Sequence, residues 1–311
     1  MKAIMYHYVR PFDDELPNLK HLHFEDFKKQ LDYFEEEYGF VSKSAFIESF
    51  HNKKKIPTGI ILTFDDALKC HYQFVFHELK KRNLWGIFYI PTRPYSQDKL
   101  LDVHRTHLLL GKYPSTIIYN YLESLVKEEL LDKEKIEEFK KFTYSRQTND
   151  DYTLKTKRLL NYFISYNYRE NILDQLMAEF FPDEKEVLKD FYITTRQIKE
   201  MNESGMIIGS HTINHPVMSR LSYEEQHEEI YGSFKTLSTF TGNNLIKTFC
   251  YPYGGFHSFN GTTEKILNQS NCLFSFNVEQ RDISLSDVIN RRQALPRYDC
   301  NQFKYGQVRG L

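Results

Sequence analysis

The chain of 311 residues carries 41 Lys and Arg against 42 Asp and Glu, a formal charge of −1, so no net positive field draws it toward nucleic acid or anionic lipid. A hydrophobic content of 41%, a charged content of 27%, 25 Phe and 22 Tyr describe a folded chain with a large core rather than a disordered one. The length suits two domains or one enlarged α/β barrel.

The N-terminal stretch is interrupted by His7 and Arg10 and lacks a small-residue cleavage site, so it does not read as a signal peptide. No window approaches the ~18 apolar residues of a membrane span. Cys70, Cys250, Cys272 and Cys300 are scattered without a C-x-x-C pair, which fits free thiols in a reducing compartment. The expectation is a cytoplasmic protein without a transmembrane segment.

Ala3 to Tyr8 reads as the first strand. Phe24, Phe27, Leu31 and Phe34 then share one helical face. Gly59 to Phe64 is a continuous apolar, β-branched run of the kind buried on both faces, and it ends on Asp65-Asp66. A helix is expected over 67–82 and a strand from Trp85 to Ile90, stopped by Pro91. Between 93 and 191 the pattern turns helical and charged, with Leu122, Leu125, Val126, Glu129 and Leu130 on one face, and reads as a helical insertion. Thr194 with Gln197 and Ser222 with Glu225 form capping boxes. Strands are expected over 206–210, 247–251 and 272–278. Strand-helix alternation on both sides of the insertion argues for a parallel sheet or barrel.

Three clusters follow strands, where the C-terminal ends of a barrel converge. In Thr63-Phe-Asp-Asp66 the two neighbouring carboxylates leave the strand in different directions and can take separate roles, one binding metal and one handling protons. In Ser210-His-Thr-Ile-Asn-His-Pro216, His211 and His215 are four apart, so helical or turn geometry presents both imidazoles to one ion. Asp66, His211 and His215 form a zinc-type ligand set with room for water. Taken singly, the first cluster also reads as a solvated turn, the histidines as ordinary helix residues, and Phe249-Cys-Tyr-Pro-Tyr-Gly-Gly255 as an aromatic turn.

In the order T-F-D-D, S-H-T-x-x-H-P, Y-P-Y-G, the three clusters resemble the NodB-type polysaccharide deacetylases, carbohydrate esterase family four. The resemblance implies an α/β fold, a distorted (β/α) barrel of about seven strands, over residues 1–92 and 192–311, with 93–191 as the helical insertion. It implies Asp65 as catalytic base, Asp66, His211 and His215 as ligands of a divalent metal, expected to be Zn²⁺, and the backbone N–H of Tyr253 as oxyanion donor, with Tyr251 and Pro252 beside it in substrate binding. The family's Arg before the third motif is missing, its place taken by Cys250. Arg297, in Leu295-Pro-Arg-Tyr-Asp299, is the expected substitute, with a surface ion pair as its other reading. No Leu-x-His motif closes the chain. Met5-Tyr-His-Tyr8 resembles the M-Y-H motif of a permuted branch, which makes His7 the expected general acid, with a structural hydrogen bond as the alternative and His71 and His257 as possible substitutes.

The expected activity is metal-dependent hydrolysis of an N-acetyl or N-formyl amino sugar, with an intracellular sugar nucleotide or lipid-linked precursor of a surface polysaccharide as substrate. The alternatives are a non-catalytic carbohydrate-binding protein on this scaffold, suggested by the missing Arg, and a glycoside hydrolase, which adjacent carboxylates serve poorly. Neither the acyl group nor the oligomeric state is readable from the sequence.

Overall fold

In the computed structural model, which describes residues 1–144, 147–242 and 245–309, the strands are β1 (Lys2–Tyr6), β2 (Val9–Arg10), β3 (Leu22–His23), β4 (Ile60–Asp65), β5 (Ile87–Ile90), β6 (Ile207–Ser210), β7 (Thr248–Cys250), β8 (Phe274–Phe276) and β9 (Tyr298–Asp299). Seven of them form one sheet in the order β8-β7-β6-β5-β4-β1-β9, and every pairing is parallel. The sheet curls into a distorted (β/α) barrel. The segment over 295–299 bridges its two sides: Leu295 pairs with Phe276 of β8, and Tyr298 with Ile4 of β1.

All six residues of β4 are buried, as a run apolar on both faces requires. Alternation along the strand separates two environments. Ile61 belongs to a core cluster with Ala3, Ile87, Tyr89, Ile207, Cys250 and Phe276, and Thr63 and Asp65 follow on the same face. On the other face Phe64 stacks between Tyr6 (5.2 Å) and Phe88 (4.7 Å). Phe27, from the helix Phe24–Glu37, meets Tyr6 edge-on at 5.2 Å. Gly209 has a specific steric purpose: a Cβ there would stand 2.5 Å from the Tyr89 ring and 2.8 Å from Thr248. Its absence lets Tyr89 reach across and pair its hydroxyl with Thr248 Oγ1 at 2.9 Å.

Two expected helices are corrected. The helix expected over 67–82 begins at Lys69 and runs through a π-helical segment His71–Phe76 into the α-helix His77–Lys81. Asp66 and Ala67 have φ of 86° and 55°, a left-handed conformation that no right-handed helix can include. The apolar face over 122–130 is not one helix either. The helix Ser115–Leu125 ends, Val126 is extended, and Glu128–Leu130 is a single 3-10 turn. The chain there leaves helical geometry to pair Leu131 with Ile164. Both capping boxes form, at the helices Thr195–Glu203 and Tyr223–Thr241.

The chain divides into two compact units. One comprises Met1–Phe12, His21–Asp98 and Asp190–Arg309 and holds the barrel; the other comprises Asp13–Lys20 and Lys99–Lys189 and is helical. Inside the helical unit, buried Arg105 clasps Glu184 through two hydrogen bonds of 2.6 and 2.9 Å, and Arg169 pairs with Asp102 at 2.6 Å. Among the described residues no helix is long and apolar enough to cross a membrane. All four cysteines are buried and free of disulfides.

Candidate active site

Because the strands are parallel, the C-terminal ends of β1, β4, β6 and β7 lie at one mouth of the barrel. β5 runs between β4 and β6, and its last carbonyls anchor the chain on both sides. Asp66 donates its N–H to Tyr89 (3.1 Å), and His211 donates its N–H to Ile90 (3.1 Å). Residues 145 positions apart (211 − 66) are thereby held across a single strand.

The three buried side chains Asp66, His211 and His215 bring their ligand atoms within 4.8 Å of one another. Asp66 Oδ1 lies 3.5 Å from His211 Nε2 and 3.6 Å from His215 Nε2. These spacings are too long for strong hydrogen bonds. They are close to the separation of about 3.3–3.4 Å expected between donors each ~2.0–2.1 Å from one tetrahedral ion. His211 Nδ1–H donates to the carbonyl of Cys250 (2.8 Å), which leaves the Nε2 lone pair on the inner side. Burial lowers the His211 pKa, favouring the neutral imidazole that binds metal. The donor set and its spacing fit a divalent cation. Asp65, His211 and Cys250 also cluster, but burial raises the Cys250 thiol well above its usual range and Asp65 is already engaged, so the Asp66 group is the better fit.

The histidines are carried on a turn rather than a helix. Thr212 and His215 take φ of 69° and 56°, a conformation that costs energy outside glycine and concentrates at functional sites. Glu229, buried on the helix Tyr223–Thr241, holds this turn: its carboxylate accepts from the backbone N–H groups of Ile213 (2.7 Å) and Asn214 (2.9 Å) and from the Asn214 side chain (2.6 Å). Glu229 lies at a buried position of an otherwise ordinary helix, and no motif in the sequence marks it.

Beside this group, Arg297 meets Asp65 fork to fork, Nη1 to Oδ1 at 2.9 Å and Nη2 to Oδ2 at 2.8 Å, with the two side chains 1% and 2% exposed. Arg297 also donates to Thr63 Oγ1 (3.0 Å) and the Asn277 carbonyl (3.3 Å). The reading of Arg297 as a surface ion pair is therefore excluded. Burial by itself would raise the Asp65 pKa, but the Arg297 charge and hydrogen bonds outweigh it and bring it down to about 2. Cys250 lies against both partners, its sulfur 2.9 Å from Arg297 Nη2 and 3.4 Å from Asp65 Oδ2.

His7 lies one residue beyond β1. The register Tyr6↔Phe64 places it across from Asp65. His71 is fully buried, with Nε2 2.7 Å from the His7 carbonyl oxygen. His257 folds over Gly255, where a Cβ would meet its ring at 2.5 Å. Tyr253 has φ of 63° and packs edge-on against His215, with ring centroids 5.0 Å apart; Pro252 before it is buried. Tyr251 corrects an expectation. Its ring is stacked on Phe259 at 3.8 Å in a second core cluster and its hydroxyl donates to the Gln293 carbonyl at 2.5 Å, so this side chain is taken up in core packing.

Residues 149–272 match the polysaccharide deacetylase family model. The matched region holds His211, His215 and the Tyr-Pro-Tyr-Gly segment, while Asp65 and Asp66 precede it. Among solved structures, the fold is similar to that of the Streptococcus pyogenes deacetylase PplD in complex with acetate (18% identity, TM-score 0.58, 96% of this chain and 91% of that one). It is also similar to IcaB from Ammonifex degensii (17%, 0.54, 96% and 90%) and to a de-N-acetylase from Aggregatibacter actinomycetemcomitans (15%, 0.53, 96% and 93%). No curated protein sequence matches the chain significantly.

Proposed function

We propose that this protein is a metal-dependent carbohydrate N-deacylase that hydrolyses the N-acetyl or N-formyl group of an amino sugar. The observation that carries the reading is the convergence of Asp66, His211 and His215 around one point, beside a buried carboxylate locked by Arg297. The family-model match and the deacetylases that share the fold support it.

Asp66, His211 and His215 would hold the ion, for which their chemistry suits Zn²⁺; when bound, such an ion acidifies water and polarises the acyl carbonyl. Asp65 is the proton acceptor. A carboxylate with a pKa of about 2 is a weak base, so the water it deprotonates must itself be acidified. Arg297 keeps Asp65 ionised and fixes the plane of its carboxylate. The backbone N–H of Tyr253 stabilises the tetrahedral oxyanion, and His7 protonates the departing amine. The alternative of a binding protein drew on the missing family Arg; the buried Arg297–Asp65 pair supports the enzyme reading over it.

The test is incubation of metal-loaded protein with N-acetylated and N-formylated sugar nucleotides, lipid-linked saccharides and oligosaccharides, followed by mass spectrometry. New primary amine with released acyl acid is the expected result. Free reducing ends would identify a glycosidase, and saturable sugar binding without any product would identify a binding protein.

A further inference from the structure

His71 performs no step in the chemistry above, yet it is fully buried and joined to the His7 backbone. It opens the π-helical segment His71–Phe76, a geometry found disproportionately at functional sites. Its ring stands among Phe64 and Phe88, with centroids 5.7 and 6.0 Å away. A carbonyl oxygen only accepts, so the 2.7 Å contact to His7 puts the proton on Nε2. Nδ1 is then a buried acceptor with no hydrogen-bond partner. Burial also lowers the His71 pKa to about 4, which keeps the ring neutral in this tautomer. An apolar side chain among the same phenylalanines would avoid the stranded acceptor, so packing alone does not account for a histidine here.

The contact answers a local need. The β1–β4 ladder ends at Tyr6↔Phe64, and the chain turns through His7 toward β2. The hydrogen bond from His71 fixes the peptide plane that follows His7. Among the described residues the His7 imidazole makes no hydrogen bond, so its direction depends on its backbone. We infer that His71 is a positioning residue that aims the His7 imidazole at the leaving amine by clamping the His7 carbonyl. This rests on His7 being the general acid proposed above.

The test is a double-mutant cycle on the metal-loaded enzyme. His71→Phe removes the donor while keeping an aromatic ring, and His71→Gln restores an N–H. His71→Phe is expected to lower kcat about 10–100-fold with KM within about twofold, the scale on which misplacing a reacting group acts, and His71→Gln is expected to recover most of the loss. His7→Gln combined with His71→Phe should be no slower than His7→Gln alone, because a positioning residue has nothing left to position. Losses that multiply in the double variant, or a His71→Phe enzyme with full kcat, would overturn the inference while leaving His7 as the acid. A fully active His7→Gln enzyme would overturn the acid assignment itself, and this inference with it. Should His71→Phe fail to fold, His71→Leu takes its place in the cycle, with the same outcomes.

Discussion

Asp65 and Arg297, 232 positions apart, face each other through two parallel hydrogen bonds inside the barrel mouth, and almost no solvent reaches either group. Arg297 arrives there because the segment over 295–299 bridges β8 and β1. The residue that orients the proposed base thus belongs to the segment that links the two sides of the sheet.

Replacing Arg297 with Met leaves a buried carboxylate without its counter-charge. Burial is the leading influence on Asp65, so its pKa should rise above the ordinary carboxylate range once the guanidinium is gone. The acid limb of the kcat/KM profile should move to higher pH. Urea denaturation should show a loss of about 3–5 kcal/mol, the scale of a broken buried pair. An acid limb that stays in place would contradict the assignment of Asp65 as base.

The same pair makes stability depend on acid. Asp65 is held at about 2 in the folded protein and titrates near ~3.9 when unfolded. Its stabilising contribution is complete above the unfolded value and is lost as pH falls from about 4 to 2. It amounts to roughly 2–3 kcal/mol. Unfolding free energies across that window should show this fall in the wild type, and Asp65→Asn should lack it.

Metal content and catalysis should separate by residue. Asp65→Asn is expected to keep the ion and lose deacylation by several orders of magnitude, whereas His211→Ala should lose the ion. Elemental analysis alongside rate measurements checks both. An active Asp65→Asn enzyme would remove the base, and a metal-replete preparation without any divalent ion would remove the whole scheme.

Glu229 touches no proposed ligand atom, yet it accepts three hydrogen bonds from the turn that carries His215. Glu229→Ala should weaken metal affinity about 10–100-fold, measured by competition with a chelating dye. Unchanged affinity would show that the strained turn holds its shape unaided.

Gly209→Ala places a methyl group against the Tyr89 ring and Thr248. The overpacking should cost about 1–3 kcal/mol, visible as a lower Tm. An unchanged Tm would mean that the barrel interior yields more readily than its packing implies.

Much of the barrel could be read along the chain. The buried run at 60–65, the two capping boxes and the helical face of Phe27, Leu31 and Phe34 are local patterns, and each formed near its expected place. Errors came where nonlocal contacts overrode propensity: left-handed Asp66 and Ala67 delay a helix, Leu131 leaves helical geometry to pair with Ile164, and Tyr251 turns into the core.

The sequence alone determined which residue types stand after which strands, because hydrophobic period and turn chemistry act over neighbouring residues. Only the tertiary structure decided that Arg297 reaches Asp65, that Glu229 holds the histidine turn and that His71 meets His7. Those contacts depend on strand order and on how the segment over 295–299 spans the two sides of the sheet, and neither is encoded in the spacing of residues along the chain.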